Sequence, residues 1–280
     1  MPRGFADQRL CRLFAIGLAL APALLGALSA SADQTLHALT SNGSALRVQL
    51  KLRGETVISY VEIDPARHRL DIAQSPDTRG GSTLRQFLAQ EGAAIAFTGG
   101  YLRSFVPPEP TGYLMVDGVE LSSIVRDDRV VDAVVCLGRA PSQLTALSVA
   151  AASRFRRTDA HEDCVQAGPL LIRDGERSYD LGRTDRLGRL SGEFERAFLA
   201  LRRNGELILG VSSSASLSSL QEALLAPEEE GGLAAQIGVV LTGATTAGME
   251  VAGGLGYSFG TTSTPLPNAL VVDAGRLERP

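Results

Sequence analysis

The sequence predicts an α+β fold: a mixed, largely antiparallel β-sheet core with a few flanking helices, in a single domain. Three observations support this class. The 280 residues include 30 glycines and 13 prolines but no tryptophan, which is typical of a chain with many tight turns. Short segments rich in β-branched residues recur along the chain and are separated by Gly, Asp and Asn. Helical periodicity occurs in two short segments.

The predicted strands follow one another with few interruptions. The early ones form a meander with a turn at residues 64–65. Two apolar strands, at residues 93–97 and 237–241, each lead into a turn of small residues. We predict strands at residues 45–51, 57–63, 68–73, 93–97, 112–115, 130–137, 170–172, 198–201, 207–211, 237–241 and 267–272.

Two helices are predicted. Residues 82–90 carry three apolar side chains at helical spacing, with Ser82 able to cap the first turn and Gly92 as the stop. Residues 216–225 place four leucines on one side, and the acidic, glycine-containing segment 228–232 ends this second helix. Both helices are amphipathic, so each should cover a sheet.

Residues 1–32 have the features of a secretory signal peptide. Three arginines precede an apolar run at residues 13–28, and small residues follow at 29–32. We predict cleavage after Ala32, which leaves a domain of residues 33–280 in a periplasmic or secreted protein. The alternative is a retained anchor, but the run is short of the roughly 20 residues that a bilayer span requires. No later segment is expected to span a membrane.

Cleavage would leave two cysteines, Cys136 and Cys164, in a compartment that permits disulfides. We predict a bridge between them. Chain-entropy reasoning gives a loop of this size roughly 3 to 4 kcal/mol of stabilisation. The alternative is a pair of separate buried thiols.

The composition also excludes several functions. Of 27 basic residues only Lys51 is a lysine, and the arginines form no cluster, so no nucleic-acid partner is predicted. His37, His68 and His161 lie far apart and no zinc-type spacing occurs, so no metal is predicted. His161 and Cys164 flank two carboxylates, but neighbours in an extended chain point to opposite faces, which favours a solvated loop. No cofactor is predicted, and no pattern indicates an oligomeric state.

Several short motifs occur in a particular order. They are Thr98-Gly99-Gly100-Tyr101-Leu102, Cys164-Val165-Gln166-Ala167-Gly168-Pro169-Leu170-Leu171, Arg196 before a strand, Leu241-Thr242-Gly243, and Pro267-Asn268-Ala269-Leu270. In this order and at these intervals they resemble the phosphodiester glycosidase family, over roughly residues 57–272. The resemblance implies a mixed α/β or α+β domain that hydrolyses a sugar-1-phosphodiester to a free sugar and a phosphomonoester.

The implied reaction needs a group that holds the phosphate. Cleavage at the anomeric carbon passes through an oxocarbenium-like state, and the leaving phosphate is a weak enough base to depart unprotonated. An arginine can hold two phosphate oxygens at once, which makes Arg196 the candidate. The alternative is a surface arginine that pairs with Glu193 or Glu195.

The glycines of the motifs are the main predicted contacts with substrate. Without a Cβ atom they would let backbone N–H groups approach the sugar-phosphate, although they could also be turn residues only. Gln166 could bond sugar hydroxyls, or it could be an outward-facing strand residue. The predicted substrate-binding set is Thr98, Gly99, Gly100, Gln166, Gly168, Gly243 and Thr246.

The chain departs from the family pattern at two places. The family typically has Asn-Gly-Gly where this chain has Thr98-Gly99-Gly100, and Asp-Gly-Gly-Gly-Ser where it has Thr242-Gly243-Ala244-Thr245-Thr246. Threonine does not ionise near neutrality, so Thr242 cannot act as a carboxylate. Losing an aspartate that serves as base or nucleophile would cost several powers of ten in rate. Glu195 could substitute for it.

Two functions from different classes follow. The first is an exported hydrolase that cleaves a glycosyl phosphodiester in envelope or exopolysaccharide material, with Arg196, Thr242 and Glu195 at the catalytic centre. The second is a catalytically inactive relative that binds anionic glycan in the same cleft. Both take a glycan or sugar-phosphate ligand, and they differ in whether product forms.

Overall fold

Antiparallel β-strands make up most of the described chain. A computed structural model describes residues 34–39, 45–53, 56–140, 143–178, 192–252 and 257–273, with side chains from residue 56 onward. All of these residues belong to one compact unit, Ser31–Pro280. The predicted signal peptide lies outside the described residues.

The strands are numbered in chain order. They are β1 (Gln34–Leu39), β2 (Ala45–Arg53), β3 (Thr56–Ile63), β4 (Leu70–Gln74), β5 (Ala93–Thr98), β6 (Leu102–Phe105), β7 (Pro108–Pro110), β8 (Leu114–Val116), β9 (Val119–Ser122), β10 (Ala133–Ala140), β11 (Gln143–Ala151), β12 (Asp163–Ala167), β13 (Leu170–Arg173), β14 (Glu176–Arg177), β15 (Phe194–Arg202), β16 (Leu207–Ala215), β17 (Ala235–Gly243), β18 (Gly248–Val251), β19 (Tyr257–Gly260) and β20 (Asn268–Asp273).

Within the described residues these strands form three main sheets and a small hairpin. The largest sheet has the order β1-β2-β3-β16-β15-β17-β13-β14. The second has the order β11-β10-β12-β8-β9, and the third β19-β18-β5-β20-β4. Strands β6 and β7 pair only with each other. Sequence neighbours such as β15 and β16 pair through short turns, which is why antiparallel pairing predominates.

Helix α1 (Leu84–Glu91) covers the outer face of the third sheet. Its N-cap is Thr83 rather than the predicted Ser82, and Thr83 and Gln86 form a reciprocal capping box. Gly92 ends the helix in the left-handed conformation, as predicted. The buried Leu84 and Phe87 pack on the sheet.

Helix α2 (Leu217–Leu225) covers the outer face of the largest sheet. Ser216 caps its first turn by accepting from the Ser219 N–H, and the helix ends at Ala226, before the acidic segment. Among the described helices, none combines the length and the apolar character that crossing a membrane would require.

The main core lies between the three sheets, and smaller clusters lie under the helices. Along β15 the side chains alternate: Ala197 and Leu199 enter the central core, whereas Phe198 and Ala200 pack under α2. We call these two sides of the largest sheet its core face and its α2 face. This alternation decides which site residues can meet.

The predicted disulfide is confirmed. Cys136 on β10 lies directly opposite Cys164 on β12, with their Cα atoms 4.1 Å apart, and the two sulfurs are bonded. Both residues are buried beside Tyr113 and Phe155 on the outer face of the second sheet.

The predicted antiparallel sheet core is confirmed, but the fold is dominated by strands, with two α-helices in the described residues. The helices and most predicted strands occur within a few residues of their expected places. The long edge strand β11 was not predicted, because its partly exposed side chains lack a regular alternation. Strand β12 was not predicted either, because both of its faces are covered and its polar residues are buried.

Candidate active site

Arg196 lies on the α2 face of the largest sheet and is 1% exposed. Its Nε donates to Ala215 O and its Nη2 to Gly192 O, each at 2.7 Å. The guanidinium also lies over the Phe194 ring, 5.7 Å from the ring centroid. Burial lowers the pKa of Arg196, and the nearby Tyr101 phenol opposes that shift. The alternative of a surface arginine is therefore wrong.

Glu195 points to the opposite face of β15, as the alternation of strand side chains requires. Its Oε2 accepts a hydrogen bond from Thr261 Oγ1 at 3.2 Å. The carboxylate of Glu195 and the guanidinium of Arg196 thus have different surroundings, and the sheet lies between them.

The bend at residues 242–246 meets Arg196 through its glycine. Gly243 is the β17 partner of Arg196, and a Cβ there would lie 3.8 Å from Arg196 Nη1. Thr242 is opposite Ala197, so its hydroxyl faces the core side, where it shares a 2.6 Å hydrogen bond with Thr246 Oγ1. Thr246 in turn donates to Gly243 O at 3.0 Å. The bend is held by neutral hydroxyls.

The Thr98-Gly99-Gly100 bend follows β5. Asn268 Nδ2 donates to Gly99 O at 2.9 Å, and a Cβ on Gly99 would collide with Asn268. Gly100 has a φ of 133°, a backbone conformation that favours glycine. It packs on the side chain of Val165. Thr98 is fully buried opposite Ala269, on the side of the third sheet that α1 covers.

Gln166 uses its side-chain amide to hold other parts of the chain. Its Oε1 accepts from the N–H groups of Tyr113 and Val125, at 2.9 and 3.0 Å. Its Nε2 donates to Val125 O and, at 2.6 Å, to Val131 O. These bonds employ both donors and two acceptor positions of the amide, which gives Gln166 a structural role.

The Gly168–Pro169 bend brings in a carboxyl group that the sequence analysis did not identify. Gly168 has a φ of 153°, and a Cβ there would lie 2.8 Å from Asp132 Oδ1. The same oxygen accepts from the Leu170 N–H at 2.9 Å. Burial raises the pKa of Asp132 to about 6. In the sequence, Asp132 is one of several aspartates before a strand, so no local signal distinguishes it.

Tyr101 follows the two glycines of the Thr98-Gly99-Gly100 motif, and the sequence alone does not indicate a role for it. Its hydroxyl oxygen is buried and has no hydrogen-bond partner in the described chain. The ring packs against the cluster under α2. Burial raises the pKa of Tyr101, with Arg196 lowering it and Asp132 raising it further. The Tyr101 phenol therefore lies within electrostatic range of both Arg196 and Asp132.

Direct contacts connect the bends around Arg196. Gly100 packs on Val165, three residues before Gly168. Gly168 N–H donates to Val240 O at 2.8 Å, which ties that bend to β17 just before Gly243. We call Tyr101, Asp132 and Arg196, with the bends at Gly168 and Gly243, the Arg196 cluster. The side chains of Thr98 and Glu195 lie on other faces and do not belong to it.

One group of possible metal ligands lies together in the described residues. Cys136, His161 and Cys164 have ligand atoms within 4.8 Å of one another. Because the two sulfurs form the disulfide, they are not available as thiolates. This group is apart from the Arg196 cluster and lies against the outer face of the second sheet.

Comparisons with known proteins define the class. The chain belongs to the phosphodiester glycosidase family, whose sequence model matches residues 91–273. No curated protein sequence matches the chain.

Solved structures share the fold at low sequence identity. A hypothetical protein from Synechocystis has a TM-score of 0.54 at 14% identity, over 86% of this chain; the match spans 61% of that protein's length. The zebrafish N-acetylglucosamine-1-phosphodiester alpha-N-acetylglucosaminidase catalytic domain, auto-inhibited by its pro-peptide, has a TM-score of 0.56 at 13% identity, over 87% and 82% of the two chains. A protein from Burkholderia pseudomallei K96243 that is described as exported has a TM-score of 0.52 at 11% identity, over 87% and 86% of the two chains.

Proposed function

We propose that the protein is an exported hydrolase that cleaves a glycosyl phosphodiester in envelope or exopolysaccharide material. Water adds to the anomeric carbon, the bond from that carbon to the phosphate oxygen breaks, and its electron pair leaves with the phosphate. The products are a free sugar and a phosphomonoester. Family membership supports the reaction class.

The observation that carries the proposal is the buried guanidinium of Arg196 beside the Gly243 bend. Burial disfavours the charged form of this arginine, as its lowered pKa indicates. A phosphate next to the guanidinium would offset that penalty by a charge-assisted hydrogen bond. Gly243 places no side chain against the guanidinium, since a Cβ there would lie 3.8 Å from Arg196 Nη1.

We assign Asp132 as the general base that accepts a proton from the attacking water. Its pKa of about 6 leaves it mostly ionised at neutral pH, yet basic enough to accept a proton. It lies at the Gly168 bend, whereas Glu195 points to the core face. Asp132 therefore takes the role that Thr242 cannot perform and that Glu195 does not reach.

Export rests on separate observations. The disulfide between Cys136 and Cys164 is of a kind that persists in oxidising compartments. One protein of similar fold is described as exported. Together with the predicted signal peptide, these favour a periplasmic or secreted location.

A second function has one specific observation in its favour. The position of the family's aspartate holds Thr242, whose hydroxyl bonds Thr246 and is fully buried. If no other group activates water, the protein is a catalytically inactive relative that binds anionic glycan at the same site.

A turnover assay with matched variants separates the two. The substrate is the methyl phosphodiester of N-acetylglucosamine-1-phosphate, and free N-acetylglucosamine and methyl phosphate are quantified. We expect Arg196→Lys to lower kcat/KM by about 100-fold, because lysine cannot hold two phosphate oxygens in the same way. Arg202→Lys, on the same strand, is the control and should retain the rate.

The products also decide the reaction type. Release of sugar-1-phosphate instead of free sugar would mean cleavage at phosphorus and would contradict the glycosidase mechanism. Binding of the substrate without any product after long incubation would support the inactive relative.

A further inference from the structure

Tyr101 carries a donor that the folded chain does not use. A buried hydroxyl without a partner is unfavourable by about 1 to 3 kcal/mol, so such groups are rare in folded proteins. The described residues contain two other such atoms, Thr98 Oγ1 and His68 Nδ1. Tyr101 differs from both because it belongs to the Arg196 cluster.

The position of Tyr101 is fixed from both sides. Gly100, the preceding residue, packs on Val165 beside the second sheet. The Tyr101 carbonyl accepts from the Thr111 N–H at 2.8 Å, and its ring packs on the cluster that contains Phe198 and Val240. The unused hydroxyl is thus held by backbone and packing contacts, independently of any hydrogen bond of its own.

The hydroxyl can act only as a neutral group near pH 7. Burial raises the pKa of Tyr101, so the proton stays on the oxygen. A neutral phenol donates one hydrogen bond and adds no charge. Together with one guanidinium, it suits a ligand that carries a single negative charge.

Asp132 supplies a negative charge, in contrast to the positive guanidinium of Arg196. Its Oδ1 is fixed by the Leu170 N–H at the Gly168 bend. The charged groups that act on it include Arg173, which favours its ionised form, and Asp128, which disfavours it. An ionised Asp132 repels an incoming second negative charge.

We propose that Tyr101 and Asp132 make the Arg196 cluster select a phosphodiester monoanion over a phosphomonoester dianion. The Tyr101 hydroxyl donates to a non-bridging oxygen of the phosphate that Arg196 binds, and the Asp132 carboxylate disfavours the extra charge of a monoester. This inference rests on the proposed function, since it states how that site recognises substrate and releases product. A phosphomonoester carries close to two charges at neutral pH, so the product would leave readily.

The first test measures binding, which needs no turnover. Calorimetric titration of the mature protein with dimethyl phosphate gives Kd, and a thermal scan gives Tm. We expect Tyr101→Phe to weaken binding by about tenfold with an unchanged or higher Tm, because no hydrogen bond of the folded state is lost. Tyr113→Phe is the control. The Tyr113 hydroxyl is also buried, but it contacts Met115 Sδ at 3.5 Å in the cluster on the outer face of the second sheet. The Kd of this variant should equal that of the wild type.

The second test compares dimethyl phosphate with methyl phosphate at pH 7.5. We expect Asp132→Asn to tighten methyl phosphate by about tenfold and dimethyl phosphate by less than about threefold. Asp163→Asn is the control, because Asp163 is a buried carboxylate that accepts from the N–H groups of Ile72 and Asp117 at 2.9 and 2.7 Å on β12. It should leave both affinities unchanged.

A third test repeats the comparison of the two phosphates at pH 5. At pH 5 methyl phosphate is mostly a monoanion and Asp132 is mostly protonated, so the preference for the diester should largely disappear. Equal effects of Asp132→Asn on the two ligands, unchanged binding in Tyr101→Phe, or no binding of either phosphate would each overturn the inference. Absence of turnover with these binding results intact would instead refute the proposed hydrolase alone.

Discussion

The two ends of β15 each hold a buried arginine, and they differ in what surrounds it. Arg202 is 6% exposed, and its Nε donates to Leu233 O at 3.1 Å, much as Arg196 Nε donates to Ala215 O at 2.7 Å. Three carboxylates reach Arg202: those of Glu62, Glu206 and Glu228, at 2.6, 3.0 and 3.4 Å.

The pKa values of the two arginines are shifted in opposite directions. Burial disfavours charge at Arg202, but Glu62, Glu206 and Glu228 together outweigh it and raise its pKa. Burial prevails at Arg196, whose pKa is lowered. Removing an arginine that is paired with several carboxylates leaves their charges uncompensated, whereas an arginine whose charge is disfavoured by burial would gain from an arriving anion. In the function that we propose, Arg202 is therefore the structural arginine of this strand and Arg196 the binding one.

The largest expected effect concerns stability. Arg202→Met should lower the free energy of unfolding by about 3 kcal/mol, because it leaves three carboxylates near a buried end of the strand. Arg196→Met should cost about 1 to 2 kcal/mol, since it removes hydrogen bonds to carbonyls but also a charge that burial disfavours. Urea unfolding measures both values, and an equal or reversed order would contradict the comparison.

The same pair should respond differently to ligand. We expect dimethyl phosphate to raise the Tm of the wild type and of Arg202→Met, because a ligand that binds only the native state stabilises it. The Tm of Arg196→Met should not respond.

A second effect is the pH dependence of stability that arises from Asp132. The pKa of Asp132 is about 6 in the folded protein and near 3.8 in the unfolded chain, so the folded state binds this proton more tightly. Its contribution favours folding at low pH and is lost as the pH rises from about 4 to about 6, with a size on the order of 3 kcal/mol.

Asp132→Asn should remove this slope, since asparagine does not titrate but its amide oxygen can still accept from Leu170. The unfolding free energies of both proteins at pH 4 and pH 7 test it. A slope that persists in the variant would assign the titration to another group.

The smallest expected effect is a gain of activity. Thr242→Asp combined with Thr98→Asn restores the polar residues that the family has at these places, and we expect hydrolysis to rise by about tenfold. The increase is limited because residue 242 faces the core side, away from Arg196. The initial rates of free sugar release measure it, and no gain would mean that the cleft has diverged from the family beyond these two positions.

The fold was largely predictable, because strands and caps are local properties of the chain. The helix ends at Gly92 and Ser216 follow from capping chemistry within a few residues. Strand β11 was missed because it lies at a sheet edge, where the pattern of exposed residues is irregular.

The site was predicted only in part. Arg196 and Gly243 lie together as the motifs implied. Gln166 was assigned to a sugar, but its amide holds backbone groups that are about forty residues away in the chain. Asp132 was missed because its raised pKa results from burial at the Gly168 bend, and burial depends on residues distant in sequence.

By itself the sequence determined the antiparallel sheet class, the two capped helices, the pairing of Cys136 with Cys164 and the phosphodiester glycosidase family. These depend on side-chain periodicity, turn chemistry and motif order, all of which are written along the chain. Only the tertiary structure decided which charges are buried together and which face each side chain occupies. Register and burial arise from contacts between distant segments, and for that reason the burial of the Tyr101 hydroxyl and of Asp132 became evident only in the assembled sheets.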